Sequence, residues 1–363
     1  MNGRIHSSIH LSAALCYFAG ACPIDIALVH GISHVEVFRS IWKVVDAINA
    51  CPSLNIAYPM SHRQQKRIAR EFELKSGAKF ANCAGAIDGI LIWTSKPMKA
   101  DCDASDIGAK KFLCSRKHKF GLNMQATCDA NGKFLDISIC HPGATTDYLA
   151  FVTSLFHSQL EQPGFLAPGL AIYGDNAYVN CRYMVTPFKA ANSGYRDNYN
   201  FYQSQLRISI ECAFGMLVHR WAILRKPMPI GLSLSKVTAM TASLCKLHNF
   251  CIDQEGGLLS GKTASCGLAS DEMHVQLHGG VSMATDVNGN IMEQGLMHDQ
   301  YLQSGNGPLP EIVGGSHHGD DHTLPIPTTL PTPRDECVHL IREGQFCQPC
   351  PIKWQGHPSC QML

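Results

Sequence analysis

Three carboxylates stand in surroundings that invite a chemical explanation: Asp88 in "GAIDGIL" (85–91), Asp175 in "IYGDNAYV" (172–179) and Glu211 in "LRISIECAF" (206–214). Each has an ordinary account when taken alone. An Asp-Gly pair inside an apolar run makes a turn or bulge. Asp175, between Gly174 and Asn176, can bond its own backbone in a turn. Glu211 follows Arg207 by four residues, the spacing of a helical ion pair. Taken together they suggest something else. Two aspartates on strand ends and a glutamate on a packed helix can form an all-oxygen set suited to hard divalent cations, Mg²⁺ or Mn²⁺. Two ions so held stabilise both the attacking and the leaving oxygen of an in-line displacement at phosphorus.

Such a set needs rigid elements under it. Apolar alternation and turn residues predict strands over 84–95, over 119–143 as a pair around the turn Asp129–Gly132, and over 169–178. Helical spacing runs through 145–162, through 200–224 with an apolar stripe of Leu206, Ile210, Ala213, Phe214, Leu217, Trp221 and Leu224, and through "VTAMTASLCKLHNFCI". The order strand, hairpin, helix, strand, helix describes a mixed α/β sheet flanked by helices. Ahead of it, residues 1–75 read as a helical module. One helix covers 8–21, a short one begins at Pro23 and ends near His30–Gly31, and a longer one begins after Ser33, with Glu36 at the capping-box spacing. Short helix, glycine turn and longer helix match a helix-turn-helix, and equally an ordinary helical pair.

Residues 76–253 would be the α/β domain, and 254–363 a Gly-, His- and Pro-rich tail without a periodic apolar face, expected to be mostly disordered and dispensable for folding. The net charge of +1 conceals an asymmetry. The tail holds four Lys/Arg against twelve Asp/Glu, leaving 26 against 17 in residues 1–253. A basic body suits an anionic partner, nucleic acid above all. The 17 cysteines are scattered, many in apolar runs, which indicates a reducing compartment and small buried side chains. Buried or free thiols are also favoured over zinc for Cys102 with Cys114 and for the set Cys337, Cys347, Cys350 and Cys360. "LSAALCYFAGAC" imitates a signal peptide, but the helical pattern accounts for it better. No apolar run is long enough for a membrane span.

Five blocks in order, "GAIDG" (85–89), "CDANGKFLDISICHPGATTDYLAF" (128–151), "YGDNAYVNCRYMVTPF" (173–188), "NFYQSQLRISIECAFGMLVHRWAIL" (200–224) and "CKLHNFCI" (245–252), resemble PIF/Harbinger-type transposases of the DDE superfamily endonuclease group. With the helical module the likeness spans roughly residues 8–252. The resemblance implies an RNase H-like fold, a two-ion Mg²⁺ or Mn²⁺ site with Asp88, Asp175 and Glu211 as catalytic and metal-binding residues, and cleavage of double-stranded DNA in the nucleus. Sequence-specific recognition in the family often depends on a separate Myb-like DNA-binding protein, and homo-oligomerisation is compatible with the pattern. Ile90 and Thr146 stand where the family often has Thr and His. Asp147 suits either assistance at the site or the cap of the helix after it, and the cap is the preferred reading. Phosphate contacts are expected from Lys110, Lys111, Arg116, Lys117 and Lys119 in "KKFLCSRKHKFG" and from Arg207, Arg220 and Arg225. The alternative is a domesticated, non-cleaving DNA- or protein-binding protein that keeps the fold. A small-molecule metallophosphohydrolase is disfavoured by the basic body and the helix-turn-helix pattern.

Overall fold

The computed structural model describes residues 5–189, 194–229, 232–255 and 332–342. The helical module comprises α1 (Ser7–Phe18), α2 (Pro23–His30), α3 (His34–Ala50) and α4 (His62–Lys75). Pro23 opens α2, where its missing N–H costs nothing, and Gly31 closes it in the left-handed region at φ 62°. Ser33 caps α3, its hydroxyl accepting from the Glu36 N–H. The segment that imitates a signal peptide is α1, whose Ala13, Ala14, Tyr17 and Phe18 are buried in the core. Among the described residues no helix is long and apolar enough to cross a membrane.

The sheet is built from β1 (Cys83–Trp93), β2 (Leu113–Cys114), β3 (Lys119–Cys128), β4 (Phe134–Pro142), β5 (Ala171–Tyr173) and β6 (Met184–Val185), with the short helix α5 (Lys99–Ser105) between β1 and β2. Strand β3 runs antiparallel to β1, and its other edge carries β4 along most of its length and β2 at its start. On the far side of β1 the pairing turns parallel, β1 to β5 to β6. This mixed, RNase H-like sheet is the architecture expected from the sequence. The expected helix over 145–162 is two, α6 (Asp147–Val152) and α7 (Leu155–Glu161), because the Ser154 hydroxyl caps a new start by accepting from the His157 N–H. The strand expected over 169–178 shortens to β5, since Gly174 and Asp175 turn the chain away.

Two long helices, α8 (Tyr195–Arg220) and α9 (Leu234–Glu255), cover the sheet. Leu206, Ile210, Ala213, Phe214 and Leu217 of α8 are all buried, as their stripe requires. Each large member contributes about 1.5–3 kcal/mol by leaving water. Phe134 of β4 packs against Phe214 of α8 and His248 of α9, with ring centres 6.0 and 4.9 Å apart.

Within the tail one helix is described, α10 (Pro333–Arg342), and it belongs to the same compact unit as the body. Asn82 donates to the Pro333 carbonyl at 2.8 Å and accepts from the Tyr173 hydroxyl at 2.6 Å and the Cys337 thiol at 3.3 Å. The Arg334 guanidinium stacks on Phe188, 3.6 Å from the ring centre. Part of the tail therefore packs on the body. Its CQPC cysteines lie outside the described residues.

Candidate active site

Asp88 lies in the interior of β1, opposite Ala126 of β3, so its Asp-Gly pair is neither a turn nor a left-handed kink. Gly89 is there for space. A Cβ on it would collide with Oδ1 of Asp147 and lie 2.5 Å from the side-chain nitrogen of Gln125. Glycine inside a strand commonly marks such a close approach. Asp88 itself accepts from the Gly89 N–H at 2.8 Å.

Asp175 follows β5. Ala86 pairs with Tyr173 at the end of the parallel β1–β5 ladder, which brings Asp175 near enough for its charge to act on Asp88. The local chain explains the turn: Oδ1 of Asp175 accepts from the Ala177 N–H at 2.8 Å, and the Tyr178 N–H bonds back to the Asp175 carbonyl. Gly174 is required because a Cβ there would meet the Tyr178 ring at 2.7 Å. The turn account and the site account of this stretch are therefore both true. The turn fixes the aspartate.

A third carboxylate joins them. Asp147 is the first residue of α6, but the cap is Thr146, whose hydroxyl accepts from the Leu149 N–H. Instead, Oδ1 of Asp147 accepts from the side-chain amides of Asn123 and Gln125, each at 3.0 Å. Gln125 also donates to Asn123 at 2.8 Å and accepts from the buried Tyr178 hydroxyl at 2.6 Å. This corrects the capping role expected of Asp147. The missed signal is "NMQ" (123–125), two amides two residues apart and so on one face of an otherwise apolar strand.

The electrostatics agree with the geometry. Burial, then the Asp175 charge, pushes the Asp88 carboxyl up to about 7; Asp147 adds to this, while the Gly89 N–H and Arg207 oppose it. The Tyr178 hydroxyl is driven up by burial and by Asp88, Asp147 and Asp175. Glu211 approaches from α8. Gln203, Arg207 and Glu211 are spaced four apart and share one face of that helix. Gln203 donates to the Gly174 carbonyl at 2.8 Å, beside Asp175. Arg207 forms an ion pair with Glu211, and both side chains are largely buried. Among the described residues, no three Asp, Glu, His or Cys side chains converge closely enough to hold a metal ion as they stand. The expected ligands share one end of the sheet without meeting at ligand distance from a common point.

The expected phosphate contacts divide. Lys110, Lys111, Arg116, Lys117 and Lys119 are exposed on the segment entering β3. Arg116, Lys117, Asn123, Thr145 and Asp147 line a cavity of about 350 Å³ beside Gly89. Lys117 is exposed along its stem, yet partial desolvation and then Arg116 lower its ammonium pKa, with Asp88 and Asp147 among the groups opposing. By contrast, Arg207 is held by Glu211, Arg220 by both oxygens of Glu255 at 2.8 Å, and Arg225 by the Val218 and His219 carbonyls.

Residues 87–249 match the family described as DDE superfamily endonuclease. A "Protein ALP1-like" of Arabidopsis thaliana is 24% identical over 247 residues, 65% of this chain and 58% of that protein. The chain thus spans little more than half the length of this curated relative. No solved structure matches. The matched span contains Asp88, Asp147, Asp175 and Glu211, and over residues 87–249 the chain carries a DDE superfamily endonuclease domain.

Proposed function

We propose that the chain is a divalent-metal-dependent DNA endonuclease of the transposase type, acting on double-stranded DNA in the nucleus and hydrolysing phosphodiester bonds, with strand transfer as a second step. The observation that carries this reading is the grouping of Asp147 and Asp175 around Asp88 of β1, whose carboxyl is pushed up to about 7. Negative charge is concentrated there beyond what Arg207 offsets, and a bound cation would relieve it.

The residues fit such a cation by their chemistry. All are oxygen donors. Asp88 and Asp175 each commit one oxygen to a backbone N–H, and the other has no hydrogen-bond partner among the described residues. Asp88 would serve both ions, Asp175 one and Glu211 the other. When bound, the ions supply Lewis-acid stabilisation of the attacking and leaving oxygens. The remaining tasks fall to the chain. Asn123 and Gln125 hold Asp147 over Gly89, Arg116 and Lys117 receive phosphates flanking the scissile one, and Arg207 must release Glu211. Purified protein incubated with plasmid and Mg²⁺ or Mn²⁺ should nick it. Asp88→Asn should reduce nicking at least about a hundredfold, the scale of losing one electrostatic stabiliser of a transition state. Undiminished nicking by that variant would overturn the assignment.

The second reading, a non-cleaving DNA- or protein-binding protein, is favoured by the Arg207–Glu211 ion pair, which leaves the helix carboxylate neutralised. Plasmid left intact by the wild type in either metal, with DNA still bound, would select it.

A further inference from the structure

The outward face of α3 carries an apolar strip, Val35, Phe38 and Trp42, between charged side chains. Val37, Ile41, Val44, Val45 and Ile48 already bury the inner face. On the other side Val35, Phe38 and Trp42 follow one another at spacings of three and four, a second apolar stripe on the helix. Val35 is 59% exposed and Phe38 36% exposed. With the first turns of α9, including Ser235 and Ala239, they line a groove of about 810 Å³. The groove runs along α3 from His34 to Asp46, roughly 18 Å at a rise of about 1.5 Å per residue, the length of a helix of about three turns.

Its walls are held open by ring packing. Phe38 meets Tyr17 and His34 edge-on, with ring centres 6.2 and 5.1 Å apart, and the Lys236 ammonium lies 4.9 Å from the centre of the Trp42 ring. The rim is mainly cationic. Arg39 and Lys43, whose side chains are 67% and 59% exposed, both reach Glu36, which is largely covered and leaves their outer sides to solvent. Lys236 stands on the opposite wall, and Asp46 marks one end.

We propose that this groove receives an amphipathic helix of another protein, its apolar face laid between α3 and α9 and its acidic flanks against Arg39, Lys43 and Lys236. Shape sets the helix and charge sets the flanks: an apolar stripe with Ser235 and Ala239 opposite admits side chains between two helices, as in other helix-in-groove complexes, and a cationic rim selects an acidic partner while steering it in. Double-stranded DNA is the poorer occupant, because Val35 and Phe38 offer its base edges no donors or acceptors. The inference is independent of nuclease activity.

The test uses the full chain and three fluorescent synthetic peptides of about 12 residues: a helix with leucines on one face and glutamates on the flanks, the same helix with lysines, and a scrambled control. Anisotropy titrations should show the glutamate helix binding at least about tenfold tighter than the other two, a gap that corresponds to about 1.4 kcal/mol. Phe38→Asp and Lys236→Glu should each weaken it by a similar factor. Thermal melting of both variants should match the wild type, and Lys236, being a surface residue, guards against misfolding of the Phe38 variant. Equal binding of all three peptides, or binding indifferent to both substitutions, would overturn the proposal. So would a wild-type dimer that Phe38→Asp dissolves, which would make a second copy the occupant, or a loss of duplex DNA affinity in Phe38→Asp, which would make it DNA.

Discussion

The aspartates and the glutamate of the candidate site are held in different ways. Asp88, Asp147 and Asp175 are each fixed by groups that cannot follow them: backbone N–H donors of the next residues for the first and third, and two β3 amides for Asp147. Among the described residues Glu211 has only Arg207, another side chain one turn back on the same helix. The strand side is therefore pre-organised and the helix side is not. An ion pair between two side chains can exchange partners without moving the backbone, whereas moving Asp88 or Asp175 breaks hydrogen bonds to backbone N–H groups. The difference teaches where an incoming cation must do its rearranging: on α8.

The largest effect should come from disturbing the fixed side. Gly89→Ala drives a Cβ into the Asp147 carboxylate and the Gln125 amide, and neither can retreat without unmaking the network with Asn123 and Tyr178. We expect plasmid nicking to fall at least about tenfold and stability to drop by about 1–3 kcal/mol, the usual cost of overpacking. Full activity with an unchanged melt would mean that Asp147 does not need its place.

Removing the chain after Glu255 tests the helix side, because α10 packs on α8 and bonds both Asn82 and Tyr173, the latter two residues before Asp175. Asn82 would lose the Pro333 carbonyl and the Cys337 thiol, Tyr173 the Cys337 thiol, and Phe188 the Arg334 guanidinium. With about 1–3 kcal/mol for the buried Asn82 amide left unpaired and about 1 kcal/mol for the lost cation–π contact, the loss is roughly 2–4 kcal/mol. The melting midpoint should fall by about 5–10 °C. An unchanged midpoint would restore the tail to a dispensable appendage.

How much of this was legible follows from what each feature depends on. The α8 stripe, the Ser33 cap and the Gly31 stop depend on neighbours within one or two turns, and the sequence displays them. Gly89 was visible as a glycine in a strand, but its reason lies in Asp147, 58 residues away. Asp147 beside Thr146 gives the same local pattern whether or not it caps, and only the amides of β3 decide. β5 carries just three strand residues, so its parallel pairing with β1, which brings Asp175 towards Asp88, has no local signature. The helix α10 lies between proline-rich runs, and its fixing residues Asn82 and Tyr173 are remote in sequence.

A smaller effect concerns pH. His248 of α9 must donate from Nε2 to the Gly132 carbonyl at 2.9 Å, leaving Nδ1 buried without a partner. Burial pushes its pKa down to about 4, with the Gly132 bond opposing. The neutral ring is the folded form, so its contribution is complete above the unfolded value of about 6.5 and is lost as pH falls towards 4, in total about 3 kcal/mol. His248→Gln, which keeps a donor but cannot titrate, should flatten the fall in melting temperature between pH 7 and pH 4.5. Parallel curves for the two proteins would remove His248 from the acid limb.

The central claim, a pre-organised strand side completed by Glu211, is tested most directly by calorimetric titration of Mn²⁺ into the protein without DNA. The wild type should bind, Asp88→Asn should lose binding, and Arg207→Gln should bind about 5–30-fold tighter, because about 1–2 kcal/mol no longer goes into separating Glu211 from its partner. Wild-type protein that takes up no Mn²⁺, or affinity unchanged in both variants, would contradict the account.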